Sequence, residues 1–254
     1  MSYRACSLTT WFKLPQQGMK SWEVLTRGSA VSISMKPGAT PTFLTSGRSI
    51  APFIYRQFFP NADWLEHVSP ENCRYTIQLG PVATSSMTFE LAQDSVLHHP
   101  DFDVAALSID LEDEDRFMKA NMSDAVPILL SSSLSSSLPE EHTSVVVAGH
   151  DVSAASNTHQ SSVLDWEDCT ILACTDSRGL VKVPAAVPES FSGGGVFSGE
   201  VNGEVSLYGI LEGELPPDKD TPELVENFHC ATFVSASGIR KWLMNPESAT
   251  STFE

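Results

Sequence analysis

The stretch Val187-Pro188-Glu189-Ser190-Phe191-Ser192-Gly193-Gly194-Gly195-Val196-Phe197 decides how this chain folds, because three consecutive glycines stand between a serine and an apolar pair. A glycine run ahead of a strand marks a tight backbone turn in which larger side chains would clash. The alternating segment 204–211 predicts a further strand downstream. A serine at the tip of such a turn can be an exposed nucleophile, so Ser192 is a candidate catalytic residue. The alternative is a glycine-rich hairpin loop without chemistry.

Short apolar segments separated by turn residues continue on both sides of this stretch, and they predict an all-β sandwich or barrel. After Phe233 the period changes, and the pattern predicts a C-terminal amphipathic helix over residues 236–244. We interpret the acidic run at residues 110–115 as a solvated connector, because like charges this close resist burial. This run divides the strands into two similar sets, so we expect two barrels. The predicted strands cover residues 28–35, 42–45, 54–59, 75–79, 87–91, 103–109, 145–149, 170–174, 180–183, 196–197 and 205–211.

The composition excludes several classes of function. The 254 residues carry a formal net charge of −17, and such a field repels phosphate backbones, so we expect no nucleic-acid partner. No apolar run approaches the ~18 residues that cross a bilayer, so we expect no transmembrane segment. Five scattered cysteines predict a reducing, intracellular compartment. We find no ligand spacing for a metal and expect no cofactor.

Residues 1–22 contain three basic residues but no acidic residue, in contrast to the acidic remainder of the chain. Acid-poor, basic N-termini are typical of mitochondrial targeting segments, so a mitochondrial location is one interpretation. A short arm that lies on the folded domain is the other, and Trp11, Phe12 and Trp22 favour it. Both interpretations stay open at this point.

Five segments, in a fixed order, resemble the trypsin/chymotrypsin-like serine proteases, in particular the short forms typified by the high-temperature-requirement proteases. They are similar to the family's first Gly-Ser-Gly-Phe-Val-Ile strand, its Leu-Thr-Ala-Ala-His segment, the strand of the catalytic aspartate, a buried strand ending in a glycine turn, and the nucleophile loop. The resemblance covers about residues 22–244. The five segments are Gly28-Ser29-Ala30-Val31-Ser32-Ile33, Phe43-Leu44-Thr45-Ser46-Gly47-Arg48, His99–Leu107, Val145–His150 and Phe191-Ser192-Gly193-Gly194.

The resemblance implies two packed six-stranded antiparallel β-barrels with a C-terminal helix, and an active site in the cleft between the barrels. On this basis residues 1–21 are an N-terminal arm and residues 22–115 form the first barrel. Residues 116–244 form the second barrel with its C-terminal helix, and residues 245–254 form a tail.

The resemblance also carries over the catalytic positions. A serine attacks the carbonyl, a histidine takes its proton, and an aspartate orients the histidine. The serine position falls on Ser192 and the aspartate position on Asp103, but the histidine position falls on Arg48. A guanidinium has no lone pair to accept a proton and stays charged at ordinary pH, so Arg48 cannot be the base. We expect instead a salt bridge between Arg48 and Asp103 across the former active site.

Two further departures concern the surroundings of the serine. The family's loop has a glycine two residues before the serine and an acid or polar residue directly before it. This chain has Ser190 and Phe191 there, followed by Ser192 and Gly193, so the loop that would bind the oxyanion is altered. The strand that pairs with a peptide substrate in the family falls on Leu211-Glu212-Gly213-Glu214, and Glu212 and Glu214 would make that edge acidic.

These departures favour a pseudoenzyme, a domain that keeps the fold as a scaffold and binds other protein subunits as an accessory part of a larger assembly. A peptide-binding module that takes basic peptides at Glu212 and Glu214 is a special case of it. The alternative is an active serine hydrolase that uses Ser192 with a non-standard base, such as His98 or His99 near Asp103.

Overall fold

The computed structural model describes residues 2–33, 41–79, 87–121, 128–129, 133–152, 161–198, 205–215 and 229–245. Its helices are α1 (Gly47–Ile50), α2 (Leu111–Asn121) and α3 (Ala236–Met244), and short 3₁₀ helices cover Pro15–Gln17, Arg56–Phe58, Asp63–His67, Pro70–Asn72, Gln93–Ser95 and Glu189–Phe191. Its strands are β1 (Ser2–Tyr3), β2 (Cys6–Phe12), β3 (Glu23–Ile33), β4 (Thr42–Thr45), β5 (Cys73–Leu79), β6 (Met87–Leu91), β7 (Leu97–His98), β8 (Ala105–Ser108), β9 (Ile128–Leu129), β10 (Ser133–Leu134), β11 (Ser144–Val152), β12 (Ser161–Cys174), β13 (Arg178–Val183), β14 (Gly195–Ser198), β15 (Ser206–Glu214) and β16 (His229–Ser235).

The strands form two large sheets. The first has the order β6-β5-β2-β3-β4-β8-β7, and a bridge between Leu91 and Ile109 joins its two sides. The second has the order β10-β15-β14-β11-β12-β13-β16, and β15 also pairs with β16, which closes six of these strands into a barrel. The predicted all-β architecture of two barrels followed by a C-terminal helix is confirmed.

Three apolar clusters hold this architecture together. One fills the first barrel around Phe43, Phe89 and Phe117. Another fills the second barrel around Val181 and Phe233. The third joins both barrels, because it contains side chains from β3, β4 and β8 of the first and from β11, β14 and β15 of the second. Burial of apolar surface stabilises the folded state by roughly 25 cal/mol per Å². Because side chains of both barrels are buried in this third cluster, it holds the barrels together and so fixes the cleft between them.

Helix α3 covers residues 236–244, as its periodicity predicts. Its N-cap is Ser235, whose hydroxyl accepts a hydrogen bond from the Ser237 N–H at 3.2 Å. Ile239 and Trp242 face inward and are buried in the cluster between the barrels. The helix therefore belongs to the packed core, which explains why its apolar residues recur at helical spacing.

The first correction concerns the N-terminal arm. Strand β2 pairs with β3 on one side and with β5 on the other, so residues 6–12 are a central strand of the first sheet. Cys6, Leu8 and Phe12 are buried in the first barrel. The first barrel thus begins at β2, ahead of the predicted boundary at residue 22.

The second correction concerns the predicted strand over residues 54–59. This segment runs through consecutive turns, in which the N–H groups of Ile54 and Tyr55 bond to carbonyls three residues earlier. A 3₁₀ helix over Arg56–Phe58 follows. The β-branched and aromatic composition of the segment favours a strand, but the local turn bonds satisfy the backbone without a sheet partner.

The third correction concerns the acidic run, whose residues 111–115 form the N-terminal part of helix α2. The Asp110 carboxylate accepts a hydrogen bond from the Glu112 N–H at 2.9 Å, and acidic groups in a first helical turn are stabilised by the helix dipole. The Asp113 carboxylate accepts from the Glu90 N–H and pairs with Arg116, whose guanidinium donates to the Thr88 carbonyl. Side chains of α2 thus cover the open edge of β6.

Helix α2 also moves the boundary between the two barrels. Phe117 and Ala120 are buried in the interior of the first barrel, so the first unit extends through α2 and beyond the predicted boundary at residue 115. The turn predicted at residues 36–38 and the tail after residue 245 lie outside the described residues. Within the described ranges, no helix has the length and apolar character to span a membrane.

Candidate active site

Ser192 lies in the second barrel, directly after the 3₁₀ helix Glu189–Phe191. Only 3% of the residue is exposed. Its hydroxyl donates a hydrogen bond to the Glu212 carbonyl oxygen at 3.1 Å. A carbonyl oxygen is a weak base, so this bond holds the hydroxyl without activating it.

Asp103 lies in the first barrel, two residues before strand β8. One oxygen of its carboxylate accepts a hydrogen bond from the Arg48 N–H at 2.7 Å, and the other accepts from the Ser46 hydroxyl at 2.8 Å. The segment that begins helix α1 therefore holds the carboxylate in place. In addition, burial and, to a lesser extent, the Asp103 charge raise the pKa of nearby Tyr55 to about 12, so that phenol keeps its proton.

Arg48 joins the two other residues across the cleft. Its Nε lies 3.4 Å from the Asp103 carboxylate, which confirms the expected salt bridge. Nε and Nη2 donate to the Ser192 hydroxyl oxygen at 3.2 and 3.1 Å. Nη2 also donates to the Glu212 carbonyl. The guanidinium packs over the ring of Phe58 at 5.2 Å.

The Ser192 hydroxyl has no basic side chain as a hydrogen-bond acceptor among the described residues. Arg48 offers N–H donors only, so it binds the hydroxyl oxygen and cannot take its proton. In a functional triad an imidazole nitrogen occupies that position and accepts the proton. The structure thus brings together all three positions carried over from the family in one hydrogen-bonded arrangement.

The loop around Ser190, Phe191 and Gly193 is closed by its own hydrogen bonds. The Ser192 N–H donates to the Glu189 carbonyl at 3.1 Å, and the Gly193 N–H donates to the Leu211 carbonyl at 2.9 Å. An oxyanion hole requires N–H groups that point at the developing charge. The N–H of the serine itself is therefore not available for that role in this conformation.

Ser29 of the first barrel fixes this loop from the opposite side. Its N–H donates to the Ser192 carbonyl at 2.9 Å, and its hydroxyl donates to the Ser190 carbonyl at 2.7 Å. The same hydroxyl accepts from the His150 N–H at 2.8 Å. Sequence analysis did not assign this role to Ser29, although Ser29 lies in the Gly-Ser segment that carries the family resemblance.

No histidine in the described ranges bonds to the Ser192 hydroxyl. The imidazole of His99 lies between Phe102 and Trp242, at 4.7 and 5.2 Å, and its Nδ1 accepts from the Asp101 N–H. Burial lowers the pKa of His99, and it lowers the pKa of His98 to about 4. His98 lies in strand β7, and only 9% of His99 is exposed.

The edge of β15 differs from the acidic edge that the sequence predicted, because both of its carboxylates contact other side chains of the chain. The Glu212 carboxylate pairs with Arg178 at 3.0 Å. The Glu214 carboxylate lies 2.9 Å from Nδ1 of His229. Both partners are themselves half exposed, so the edge is polar, but its two carboxylates already have partners within the chain.

Open cavities surround Arg48 on three sides. One of about 550 Å³ lies between β3 and the Ser192 loop, one of about 540 Å³ lies between Asp103 and Glu214, and a smaller one of about 250 Å³ lies between them. Phe58, which sequence analysis missed because it placed residues 54–59 in a strand, lines the two cavities on the Glu214 side. Across the described residues, no three His, Cys, Asp or Glu side chains gather as a metal site.

Comparison with solved structures supports the fold. The chain is similar to the crystal structure of Rv3671c from M. tuberculosis H37Rv, a serine-to-alanine mutant in its inactive form, with a TM-score of 0.50 and 12% sequence identity. The match covers 97% of this chain and 88% of that chain. That protein has a trypsin-like fold with two β-barrel sheets. No family model and no curated protein matches this chain.

Proposed function

We propose that this chain is a catalytically inactive, trypsin-like domain that serves as a structural or protein-binding accessory subunit of a larger assembly. It is a degenerate relative of the short, high-temperature-requirement type of protease. The mitochondrial location belongs to the proposal as well, and it depends on two features of composition, the acid-poor residues 1–22 and the five cysteines expected to be reduced.

One observation carries the proposal, namely the position of the Arg48 guanidinium. It contacts the Ser192 hydroxyl through two nitrogens and also binds the Glu212 carbonyl. In the related proteases, a histidine base would stand at that place. Removing either the histidine or the serine of a triad leaves only the rate that binding and the oxyanion hole supply.

The closed loop supports the same conclusion independently. Even with a base in place, Ser192 would lack its own N–H as an oxyanion donor, because that group bonds to Glu189. Loss of one such donor costs roughly a hundred- to a thousandfold in rate. The first change removes the proton acceptor, and the second removes a donor that would stabilise the oxyanion. Because these two contributions are separate, their joint loss favours inactivity over a relocated mechanism.

The alternative is an active hydrolase with a non-standard base, and it would need a group that accepts the Ser192 proton. The Ser192 hydroxyl donates its hydrogen bond to the Glu212 carbonyl, and its oxygen accepts hydrogen bonds from the Arg48 guanidinium. A cation beside the hydroxyl could lower its pKa, but it provides no acceptor for the proton. No contact in the described structure favours this alternative.

A binding role is supported by the part of the cleft that remains open. Beyond Leu211, β16 is the one described strand that pairs with β15, so the other edge of β15 at residues 213–214 borders the cavity of about 540 Å³. A free strand edge can pair with an extended segment of another protein. Phe58, which is 53% exposed, provides an apolar rim beside it.

The test of the inactive state is a turnover assay. We expect the purified wild-type chain to hydrolyse fluorescent casein and p-nitrophenyl acetate no faster than the Ser192→Ala variant, because the serine has no base. A folded Ser192→Ala variant, checked by circular dichroism, is the matched control. Turnover that the wild type shows and the variant lacks would refute the proposal.

A further inference from the structure

The open cavities of the cleft adjoin one another in a row, and together they are called the groove here, because each shares lining residues with the next. The cavity of about 550 Å³ shares Pro188 and Glu189 with the small one, and the small one shares Phe58 and Glu214 with the cavity of about 540 Å³. A fourth cavity, of about 480 Å³ beside helix α3, continues from there. The shared residues there are His99, Pro100, Asp101 and Phe102.

The charge of this groove is negative. Seven carboxylates and four arginine or lysine side chains line the four cavities, so its formal net charge is 4 − 7 = −3. His99 adds no positive charge near neutral pH, because burial lowers its pKa. A groove with an excess of one sign of charge concentrates ligands of the opposite sign.

Four of the seven carboxylates have partners within the chain. Asp103 pairs with Arg48, Glu212 with Arg178, Glu214 with His229 and Asp176 with Lys241. The arginine and lysine partners offset the charges of Asp103, Glu212 and Asp176, and the Glu214 carboxylate has a hydrogen-bond partner in His229. The three carboxylates with arginine or lysine partners therefore do not explain the excess negative charge of the groove.

The remaining three carboxylates are Asp151, Glu189 and Asp101. None of the three has an ion pair in the described part of the chain. They are spread along the groove, with Asp151 in the cavity beside β3, Glu189 where the first cavity meets the small one, and Asp101 where the third meets the fourth. Arg27 lines the first cavity and has an interaction of its own.

We propose that the groove binds an extended, basic segment of a partner protein, whose backbone pairs with the outer edge of β15 and whose lysine or arginine side chains meet Asp151, Glu189 and Asp101. This inference rests on the proposed function, because it gives the partner of the inactive cleft its chemistry. It differs from the expectation drawn from the sequence, which assigned the basic peptide to Glu212 and Glu214.

The strand edge and the carboxylates have different roles in this interaction. Backbone pairing at Glu214, at the end of β15, holds any extended segment in register and does not select its sequence. The unpaired carboxylates provide the selection, since a like-charged or neutral segment would leave them without partners. Arg48 occupies the Glu212 carbonyl, so the partner's register begins at Glu214.

The test compares three short fluorescein-labelled peptides that alternate valine with arginine, glutamine or glutamate, by fluorescence polarisation at physiological salt. Alternation with valine favours an extended chain and places the polar side chains on one face. We expect the arginine peptide to bind about tenfold more tightly than the glutamine peptide, because exposed ion pairs each contribute modestly. The glutamate peptide should bind most weakly.

Two triple variants separate the groove from the overall negative charge of the protein. The groove variant is Asp101→Asn, Glu189→Gln and Asp151→Asn. The control variant, Glu112→Gln, Glu140→Gln and Glu141→Gln, removes the same charge from exposed positions that line none of the four cavities. We expect the groove variant to lose the preference for arginine and the control variant to keep it.

Two outcomes would overturn the inference. Equal losses in both triple variants would mean that the arginine peptide is attracted by the net charge of −17 and not by the groove. Equal affinity of the wild type for the three peptides would mean that the groove does not select charge. Cleavage of a bound peptide, read by mass spectrometry, would contradict the proposed inactive function instead, and would leave the charge preference standing.

Discussion

The Gly193→Ala variant is expected to lose about 4 kcal/mol of folding stability or to fail to fold, a loss that only a few kinds of substitution produce. Gly193 has a φ of 87°, which disfavours any residue with a side chain. A Cβ at this position would lie 2.2 Å from the Ser29 carbonyl oxygen and 2.8 Å from the Ser46 nitrogen. Both are backbone atoms of the first barrel, so the Ser192 loop of the second barrel would have to move away from the first barrel.

The matched control is Gly18→Ala. Gly18 has nearly the same φ, 85°, but an added Cβ there meets no atom within 4 Å. It should therefore lose only about 1 kcal/mol, from the backbone conformation alone. Urea denaturation of both variants, followed by fluorescence, gives the comparison. Similar losses in the two would show that the barrels do not contact each other closely at the Ser192 loop.

The Arg48→Ala variant is expected to lose about 3 kcal/mol, because it leaves the Asp103 carboxylate without its countercharge. That carboxylate is only 11% exposed, so water cannot replace the guanidinium fully. Arg48 also joins the barrels through Ser192 and Glu212, and those contacts disappear with it. The thermal midpoint and the urea midpoint should both fall.

Two further variants show whether this loss of stability comes from the buried salt bridge. Lys241→Ala removes one member of a pair with Asp176 in which both side chains are more than two-thirds exposed, and it should cost less than about 1 kcal/mol. The double variant Arg48→Ala, Asp103→Asn should recover part of the loss, because no buried charge is then left alone. An Arg48→Ala variant as stable as the wild type would show that the salt bridge contributes nothing.

Much of the fold could be predicted from alternation and turn residues. Strand β11 is read correctly because it is a continuous apolar run with both faces buried, one in each of two apolar clusters. Helix α3 is read correctly because its apolar residues recur at helical spacing on one buried face. Strand β2 was missed because a register shift between Thr10 and Trp11 breaks its alternation. The acid-poor composition of residues 1–22 also favoured a targeting segment or an arm over a strand.

The acidic run shows a signal that was present in the sequence. Asp110, followed by three acids in the first helical turn, is a helix start, and Phe117 and Ala120 then recur at helical spacing on the buried face. Repulsion between like charges suggested a solvated connector instead. The helix forms because its dipole and the contacts of Asp113 and Arg116 with β6 offset that repulsion.

The candidate site could be predicted in part. The family resemblance brought Arg48, Asp103 and Ser192 together, and the structure places their side chains in one hydrogen-bonded group. The role of Ser29 could not be found, because it depends on contacts with the Ser192 loop, far away in the chain. The role of Phe58 could not be found, because residues 54–59 form turns and a 3₁₀ helix in place of the predicted strand. Arg178 and His229, the partners of Glu212 and Glu214, belong to other strands.

The measurement that tests the central claim most directly is covalent labelling of Ser192 by a fluorophosphonate, read by intact mass. Only an activated serine reacts quickly with such a probe. We predict that the wild-type chain stays unlabelled, like Ser192→Ala, while active trypsin treated in parallel is labelled completely. A mass increase in the wild type that is absent from Ser192→Ala would show that Ser192 is activated despite Arg48, and would contradict the account.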